Sequence, residues 1–179
     1  MSDTGARRIG ASIGVKPHAY DPAVQPEYFE GVLPRRMIAF CIDVVVLAVP
    51  VLLGALFIFL FGIVTLGLGW FLFWLLPPVS VIWAVLYYGF CFGSPASATL
   101  GMRAVDLEMR TWYGDRAYFL LGAVHAVVYW ILVSTLTPLI LLVALFNSRR
   151  RLLHDMLLGT IVVNNEARAQ ALSRTAIVT

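Results

Sequence analysis

Two long stretches of the chain are almost free of charged side chains. Between Arg36 and Arg103 the only formally charged residue is Asp43, and between Arg116 and Arg149 there is none. A helix that spans a bilayer needs about 20 mainly apolar residues, at a rise of about 1.5 Å each. The first stretch is too long for one crossing and is expected to cross at least twice. With 60% hydrophobic and 13% charged residues, the chain is also more apolar than soluble domains, which average about 45–50% and about 25%.

Glycines divide the first stretch into two predicted helices. We place one helix at about 37–61, a break near Gly67 and Gly69, and a second helix at about 70–92. The prolines inside these helices are expected to kink them: Pro50, Pro77 and Pro78.

The second stretch, 117–146, has an awkward length. It would extend about 45 Å if wholly helical, which is too long for one comfortable crossing and short for two. Because Pro138 divides it, we favour a hairpin of a near-spanning helix at 117–135 and a shorter return at 138–146. The alternative is a single kinked crossing, which would place Arg149, Arg150 and Arg151 on the outer side of the membrane.

Arginines lie between the apolar stretches and set the predicted topology. By the positive-inside rule, we expect a multi-pass protein of the cytoplasmic membrane with both termini in the cytoplasm and contacts to the bilayer's anionic headgroups. The clusters are Arg7, Arg8, Arg35 and Arg36; Arg103, Arg110 and Arg116; and Arg149, Arg150 and Arg151.

The organisation predicted from these features is a small all-α polytopic membrane bundle. Residues 1–33 form a flexible cytoplasmic arm, 34–163 the membrane domain and 164–179 a polar cytoplasmic tail. Within the domain, apolar and acidic residues alternate over 105–109, a strand pattern, and 160–163 is a second β-branched run. We predict that the two runs pair into a short ribbon at the cytoplasmic membrane surface.

Gly89 and Gly93 form one GxxxG spacing, which predicts a helix-contact face. The aromatic residues are interpreted mostly as core or interfacial anchors, including Trp70, Trp83, Tyr87, Tyr88, Trp112 and Tyr113.

Asp43 is the first candidate for a functional residue. A charged aspartate near a membrane helix centre costs about 2.5–3.5 kcal/mol, so such residues usually face a bundle interior or a wet cavity. Asp43 follows Arg36 by about 10 Å along the helix, too far for a direct bridge, so its partner should come from another segment. It is either a structural polar residue or one that handles an ion or proton.

The stretch 149–163 holds a second constellation. In a helix, Arg151 and Asp155 would stand four residues apart and could form a salt bridge, and Arg150 and His154 share this spacing. The three adjacent arginines are interpreted as a solvated basic helix end that contacts anionic lipid. Asp155 is a functional candidate because an apolar run follows it directly.

Four of these features together resemble one family. They are Arg36 before the first helix, Asp43 inside it, GSPASATLGMRAV at 93–105 and LHDMLLGTIVV at 153–163. The combination is similar to the RDD family of membrane proteins, and the resemblance covers roughly residues 30–163.

The resemblance implies that the family's arginine is Arg36, with Arg35 adjacent, and that its two aspartates are Asp43 and Asp155. It further implies transport of unknown ligands, with sodium–proton exchange in some members. Many relatives carry another arginine in the third segment, where this chain has an uncharged run whose only readily titrating group is His125. That histidine is a core residue or a proton relay.

We therefore expect ion or small-solute movement through a polar cluster near the cytoplasmic side. In this hypothesis Asp43 binds the proton or cation, Asp155 closes a charge network and an arginine sets the proton affinity of the pair. A transporter this small would have to form a homo-oligomer. The alternative is a non-transporting accessory or scaffold protein whose cluster is structural.

No motif indicates an enzyme, a metal site, a cofactor or nucleic-acid binding. The candidate site residues are Arg35, Arg36, Asp43, His154 and Asp155, with Arg103, Arg116, His125 and Arg151 as secondary candidates.

Overall fold

The computed structural model of the protein describes residues 19–136, 149 and 151–178. The predicted return at 138–146 and residues 1–18 of the predicted arm lie outside the described residues. The helices are α1 (Val32–Val64), α2 (Leu76–Gly93), α3 (Leu100–Ala104), α4 (Phe119–Leu136), α5 (Leu153–Leu157) and α6 (Glu166–Val178), with 3-10 turns at Pro26–Tyr28 and Leu68–Leu75. The strands are β1 (Leu107–Thr111) and β2 (Thr160–Asn164).

Two long apolar helical segments dominate the described structure. Pro26–Val64 and Leu68–Gly93 are long and apolar enough to cross a membrane, and only 6% of the most apolar window of each is buried. Their large apolar side chains therefore face outward, as lipid-facing side chains do. This confirms the two predicted apolar helices. The 33 residues of α1 extend about 50 Å, longer than the roughly 30 Å hydrocarbon core.

Pro77 and Pro78 lie in the first turn of α2, where a missing N–H leaves no hydrogen bond unmade. They therefore stand where the 3-10 turn at Leu68–Leu75 ends and α2 begins. Pro50 lies inside α1, which continues through it. Gly67 has a φ of 98° between the two segments, a conformation that favours glycine and lets the chain reverse there.

Glycines bring α2 and α4 close together. A Cβ atom at Gly89 would lie 2.7 Å from the ring of Phe119, and one at Gly93 would lie 2.9 Å from the Phe119 backbone nitrogen. On the other helix, a Cβ at Gly122 would lie 2.9 Å from the Tyr88 carbonyl oxygen. The predicted contact face at the GxxxG spacing is confirmed.

The predicted pairing of the two runs is confirmed, although β1 begins two residues later than the alternation at 105–109. Strands β1 and β2 pair antiparallel, with Leu107 opposite Asn164 and Thr111 opposite Thr160. Every residue of β2 is buried. The chain between α2 and α4, residues 94–118, is called the connector. Because the two strands are far apart in the chain, their pairing holds the segment after α5 against the connector.

Part of the predicted N-terminal arm packs against the ribbon. Residues 26–33 are ordered as a 3-10 turn and the start of α1, and Phe29 packs against Ile161 and Val163 of β2. The Asn164 side chain donates hydrogen bonds of 2.8 and 2.9 Å to two backbone carbonyls of this region. An apolar side chain that covers the ribbon fixes this segment. The predicted polar tail contains α6.

Candidate functional site

A cavity of about 340 Å³ lies among α1, α2, α4 and the beginning of α5. Its wall is mainly apolar, but polar side chains come to it from all four of these helices. They include Arg36, Asp43, Tyr88, His125, Tyr129 and His154. Four of the predicted site residues therefore meet at this cavity: Arg36, Asp43, His125 and His154.

Asp155 is the buried charge beside this cavity, with no exposed surface. Its Oδ2 atom accepts a hydrogen bond of 2.5 Å from Arg36 Nη2 and one of 3.0 Å from the Leu152 backbone nitrogen. The second bond is local, because a carboxylate in the first turn of a helix can reach back to the preceding N–H. The first bond joins the start of α1 to α5.

Two histidines approach the other oxygen of Asp155. His154 Nε2 lies 3.4 Å and His125 Nε2 3.7 Å from Asp155 Oδ1. Both distances exceed those of a good N–H···O bond. The two imidazole rings meet edge to face, with centroids 4.6 Å apart. Of the secondary candidates, His125 thus belongs to the centre of the site.

Burial and neighbouring charges have opposite effects on the pKa values of His154 and Asp155 in α5. Burial raises the pKa of Asp155, but Arg36 above all, and then the histidines, lower it by more, so its net pKa lies well below the ordinary value. Burial lowers the pKa of His154, although the Asp155 carboxylate opposes this effect. At neutral pH the carboxylate is therefore ionised and the His154 ring is neutral. Their contact joins an anion to a dipole and is not an ion pair.

Asp43 is buried, with 4% exposure, and is held by neutral donors. Its Oδ1 accepts hydrogen bonds from the Tyr87 hydroxyl at 2.6 Å and the Gly101 backbone nitrogen at 2.8 Å. Its Oδ2 accepts one from the Thr99 hydroxyl at 2.6 Å. The prediction that its partners come from other segments is confirmed. The two aspartates are held separately, since Arg36 donates to Asp155.

Asp43 docks the connector onto α1. Thr99 is the N-cap of α3 and its hydroxyl oxygen accepts a hydrogen bond of 3.1 Å from Met102 N while donating to Asp43. The first turn of α3 lies against the α1 backbone, because a Cβ atom at Gly101 would lie 2.1 Å from the Ala39 carbonyl oxygen.

Replacing Gly101 with alanine is expected to lower the free energy of unfolding by about 1–3 kcal/mol, because the added methyl group must push α3 away from α1. Denaturant unfolding in mild detergent, followed by tryptophan fluorescence, measures the change. Gly54→Ala is the matched control, since a Cβ there would make only an ordinary contact of 3.7 Å with Leu76. That change should be neutral or stabilising. Equal effects of the two substitutions would contradict the close approach at Gly101.

Arg151 does not form the predicted salt bridge. Its guanidinium donates to the Thr160 and Asp155 backbone carbonyls at 2.9 and 2.7 Å. Helical spacing does not apply, because Arg151 precedes α5. It is buried, with 6% exposure, and lies 4.4 Å from the centroid of the Trp112 ring. The expectation of a solvated helix end is therefore wrong for Arg151, and Arg150 lies outside the described residues.

Three other predicted arginines make contacts with the connector or within it. Arg35 donates to the Val105 carbonyl at 3.3 Å. Arg103 donates to the Ser94 hydroxyl at 2.6 Å, and Arg116 forms a β-bridge to the end of β1. These contacts are those of residues that hold the connector in place.

The sequence pattern does not identify Tyr87, Thr99 and Gly101 as partners of Asp43. It indicates a core or interfacial anchor at Tyr87, whose hydroxyl donates to the carboxylate. A usable signal was present for Thr99, since a threonine before a short helix is a preferred N-cap.

Comparison with protein-family models matches residues 31–159 to the RDD family. The matched region includes Arg36, Asp43 and Asp155. No curated protein and no solved structure matches the chain.

Proposed function

This chain belongs to the RDD family, and we propose that it moves an ion or small solute through the cavity beside Arg36 and Asp155. Family and apolar helices together indicate a membrane protein. One observation carries the proposal: a fully buried, ionised aspartate, paired with an arginine, lies behind two histidines that line the cavity. Buried charge within a membrane protein is costly and typically marks a pathway.

The positions of the polar segments support the proposed cytoplasmic-membrane topology. Arg35 contacts the connector and Arg36 contacts α5, so the start of α1, the connector and α5 lie at one end of the molecule. The chain leaves this end of the molecule after Trp112 and comes back to the same end, because Arg149 and Arg151 lie 5.6 and 4.4 Å from the centroid of the Trp112 ring. This return supports an even number of crossings and both termini in the cytoplasm.

In this proposal the two aspartates have different roles. Asp155 leaves its Oδ1 atom without a hydrogen bond from the described residues, so it has capacity for a cation or a polar solute. Asp43 receives three hydrogen bonds on its two oxygens and so has less capacity to spare. The geometry favours a structural role for Asp43, one of the two alternatives that the sequence left open.

Lipid and a second copy of the chain are the proposed partners. The apolar outer surfaces of α1 and α2 suit acyl chains, and the half-buried Arg149 lies where an anionic headgroup could reach it. Since few helices enclose the cavity, we propose that the transporting unit is a homo-oligomer. Cross-linking in native membranes is expected to trap dimers or larger species, and monomers alone would contradict this.

The test of transport is ion flux in vesicles that contain the purified protein. Wild type is expected to move sodium or protons faster than empty vesicles do, and Asp155→Asn to reduce flux to the level of empty vesicles. Asp115→Asn is the matched control, since that aspartate is exposed and should leave flux unchanged.

Three results would change the proposal. Undiminished flux in a folded Asp155→Asn protein would remove the role of Asp155. Loss of flux in a folded Asp43→Asn protein, together with intact flux in Asp155→Asn, would transfer that role to Asp43. No flux for any common ion would favour the alternative of a non-transporting accessory protein, in which the Arg36–Asp155 pair holds the first helix to α5.

A further inference from the structure

Three side chains of metal-binding type converge beside the cavity. His125 comes from α4, and His154 and Asp155 come from α5, and one ligand atom from each lies within 4.8 Å of the others. All three residues are buried, with 8%, 2% and 0% exposure. Buried imidazole nitrogens and a carboxylate oxygen at this separation form a compact set of ligands.

The distances from Asp155 Oδ1 to the two histidines suit a shared ion better than direct hydrogen bonds. The two histidine Nε2 atoms lie 3.4 and 3.7 Å from Asp155 Oδ1. Hydrogen bonds between such groups are usually about 2.9–3.0 Å. In a tetrahedral zinc site, bonds of about 2.0–2.2 Å place neighbouring ligand atoms about 3.3–3.6 Å apart.

The Asp155 carboxylate is oriented so that its Oδ1 atom is available to bind an ion. Oδ2 is held by Arg36 and by the Leu152 nitrogen. Within the described part of the chain, Oδ1 accepts no hydrogen bond. A buried carboxylate oxygen without a donor is unfavourable, and an ion bound between Oδ1 and the imidazoles would supply the missing partner.

We propose that His125, His154 and Asp155 bind a divalent transition-metal ion of the zinc type. Imidazole and carboxylate are ligands that zinc accepts, and three protein ligands leave a fourth position open. That position lies toward the cavity, whose wall includes both histidines. The inference goes beyond transport, because a bound ion joins α4 to α5 whether or not any solute crosses the membrane.

Arg36 limits how tightly such an ion is held. Its guanidinium already shares the Asp155 carboxylate, and like charges at short range repel. Binding is therefore expected to be weaker than at a site with the same three ligands and no arginine. An ion held in this way exchanges with solution and is removable by a chelator.

The test uses the full chain in mild detergent, purified with a tag that lacks histidine and treated with a chelator. Titration with Co²⁺ is expected to give the visible absorption of a tetrahedral complex, with one ion per chain, and Zn²⁺ should abolish it by displacement. His125→Gln and His154→Gln should each weaken binding at least about tenfold, because loss of an outer-shell partner alone already costs about 10–100-fold. His18→Gln, which changes the chain's third histidine, is the matched control and should leave binding unchanged.

Two binding results would overturn the site: no Co²⁺ or Zn²⁺ binding by folded wild type, or unchanged binding by the double His125→Gln and His154→Gln variant. If a variant does not fold, the titration of wild type with Co²⁺ and Zn²⁺ alone decides whether the site binds a metal ion. Zn²⁺ should slow modification of His125 and His154 by diethyl pyrocarbonate and not that of His18, and equal rates would overturn the proposal. Binding without flux would keep the metal site and remove the transport proposal, whereas flux without binding would do the reverse.

Discussion

Arg36→Gln is expected to lower the free energy of unfolding by about 3–5 kcal/mol, the usual cost of removing one partner from a buried ion pair. The Asp155 carboxylate would remain fully buried and would lose the cation that holds its Oδ2 atom. The same change would release the start of α1 from α5. Denaturant unfolding in mild detergent measures the loss.

Arg35→Gln is the matched control for this substitution. Arg35 precedes Arg36 on the same helix and is similarly half-buried, but it donates to a backbone carbonyl at 3.3 Å. A single hydrogen bond of this kind contributes about 0.5–1.5 kcal/mol. If both substitutions cost the same, the special role of the Arg36–Asp155 pair would be wrong.

Asp43→Ala is expected to cost at least about 3 kcal/mol, because three buried donors would lose their acceptor and each such loss costs about 1–3 kcal/mol. The donors are the Tyr87 and Thr99 hydroxyls and the Gly101 N–H. Their loss would detach the connector from α1. Unfolding measurements give the cost, and protease cleavage within 94–106 should become faster because the connector opens.

Asp43→Asn separates hydrogen bonding from charge at this position. The amide oxygen can still accept from Tyr87 and Gly101, and the amide nitrogen can donate to the Thr99 oxygen, since a hydroxyl also accepts. The asparagine variant should therefore lose much less stability than Asp43→Ala. If it loses as much, the negative charge itself is required, and the assignment of Asp43 to structure alone would be wrong.

Much of the fold follows from local patterns in the sequence. The charge-free stretch after Asp43 predicted two apolar helices, because a long apolar segment in lipid satisfies its backbone polar groups within itself when it is helical. The period-two alternation at 105–109 and the β-branched run at 160–163 predicted strands, and they pair as β1 and β2. These predictions needed no knowledge of which segments approach one another.

The partners of the aspartates could not be predicted in the same way. Asp43 had to be buried and partnered, but which groups reach it depends on how closely α3 approaches α1 at Gly101. The Arg151–Asp155 prediction was wrong because it assumed a helix through residue 151, whereas α5 begins at Leu153. His125 gained its importance only from the packing of α4 against α5.

Arg36 and Asp155 are expected to act as one unit at the edge of the cavity, and a double-mutant cycle measures this directly. Free energies of unfolding are compared for wild type, Arg36→Gln, Asp155→Asn and the protein with both changes. We predict that the double variant is more stable than the sum of the single losses implies, by about 1–3 kcal/mol. Losses that add to within about 0.5 kcal/mol would show that the two side chains are not coupled and would contradict the buried pair.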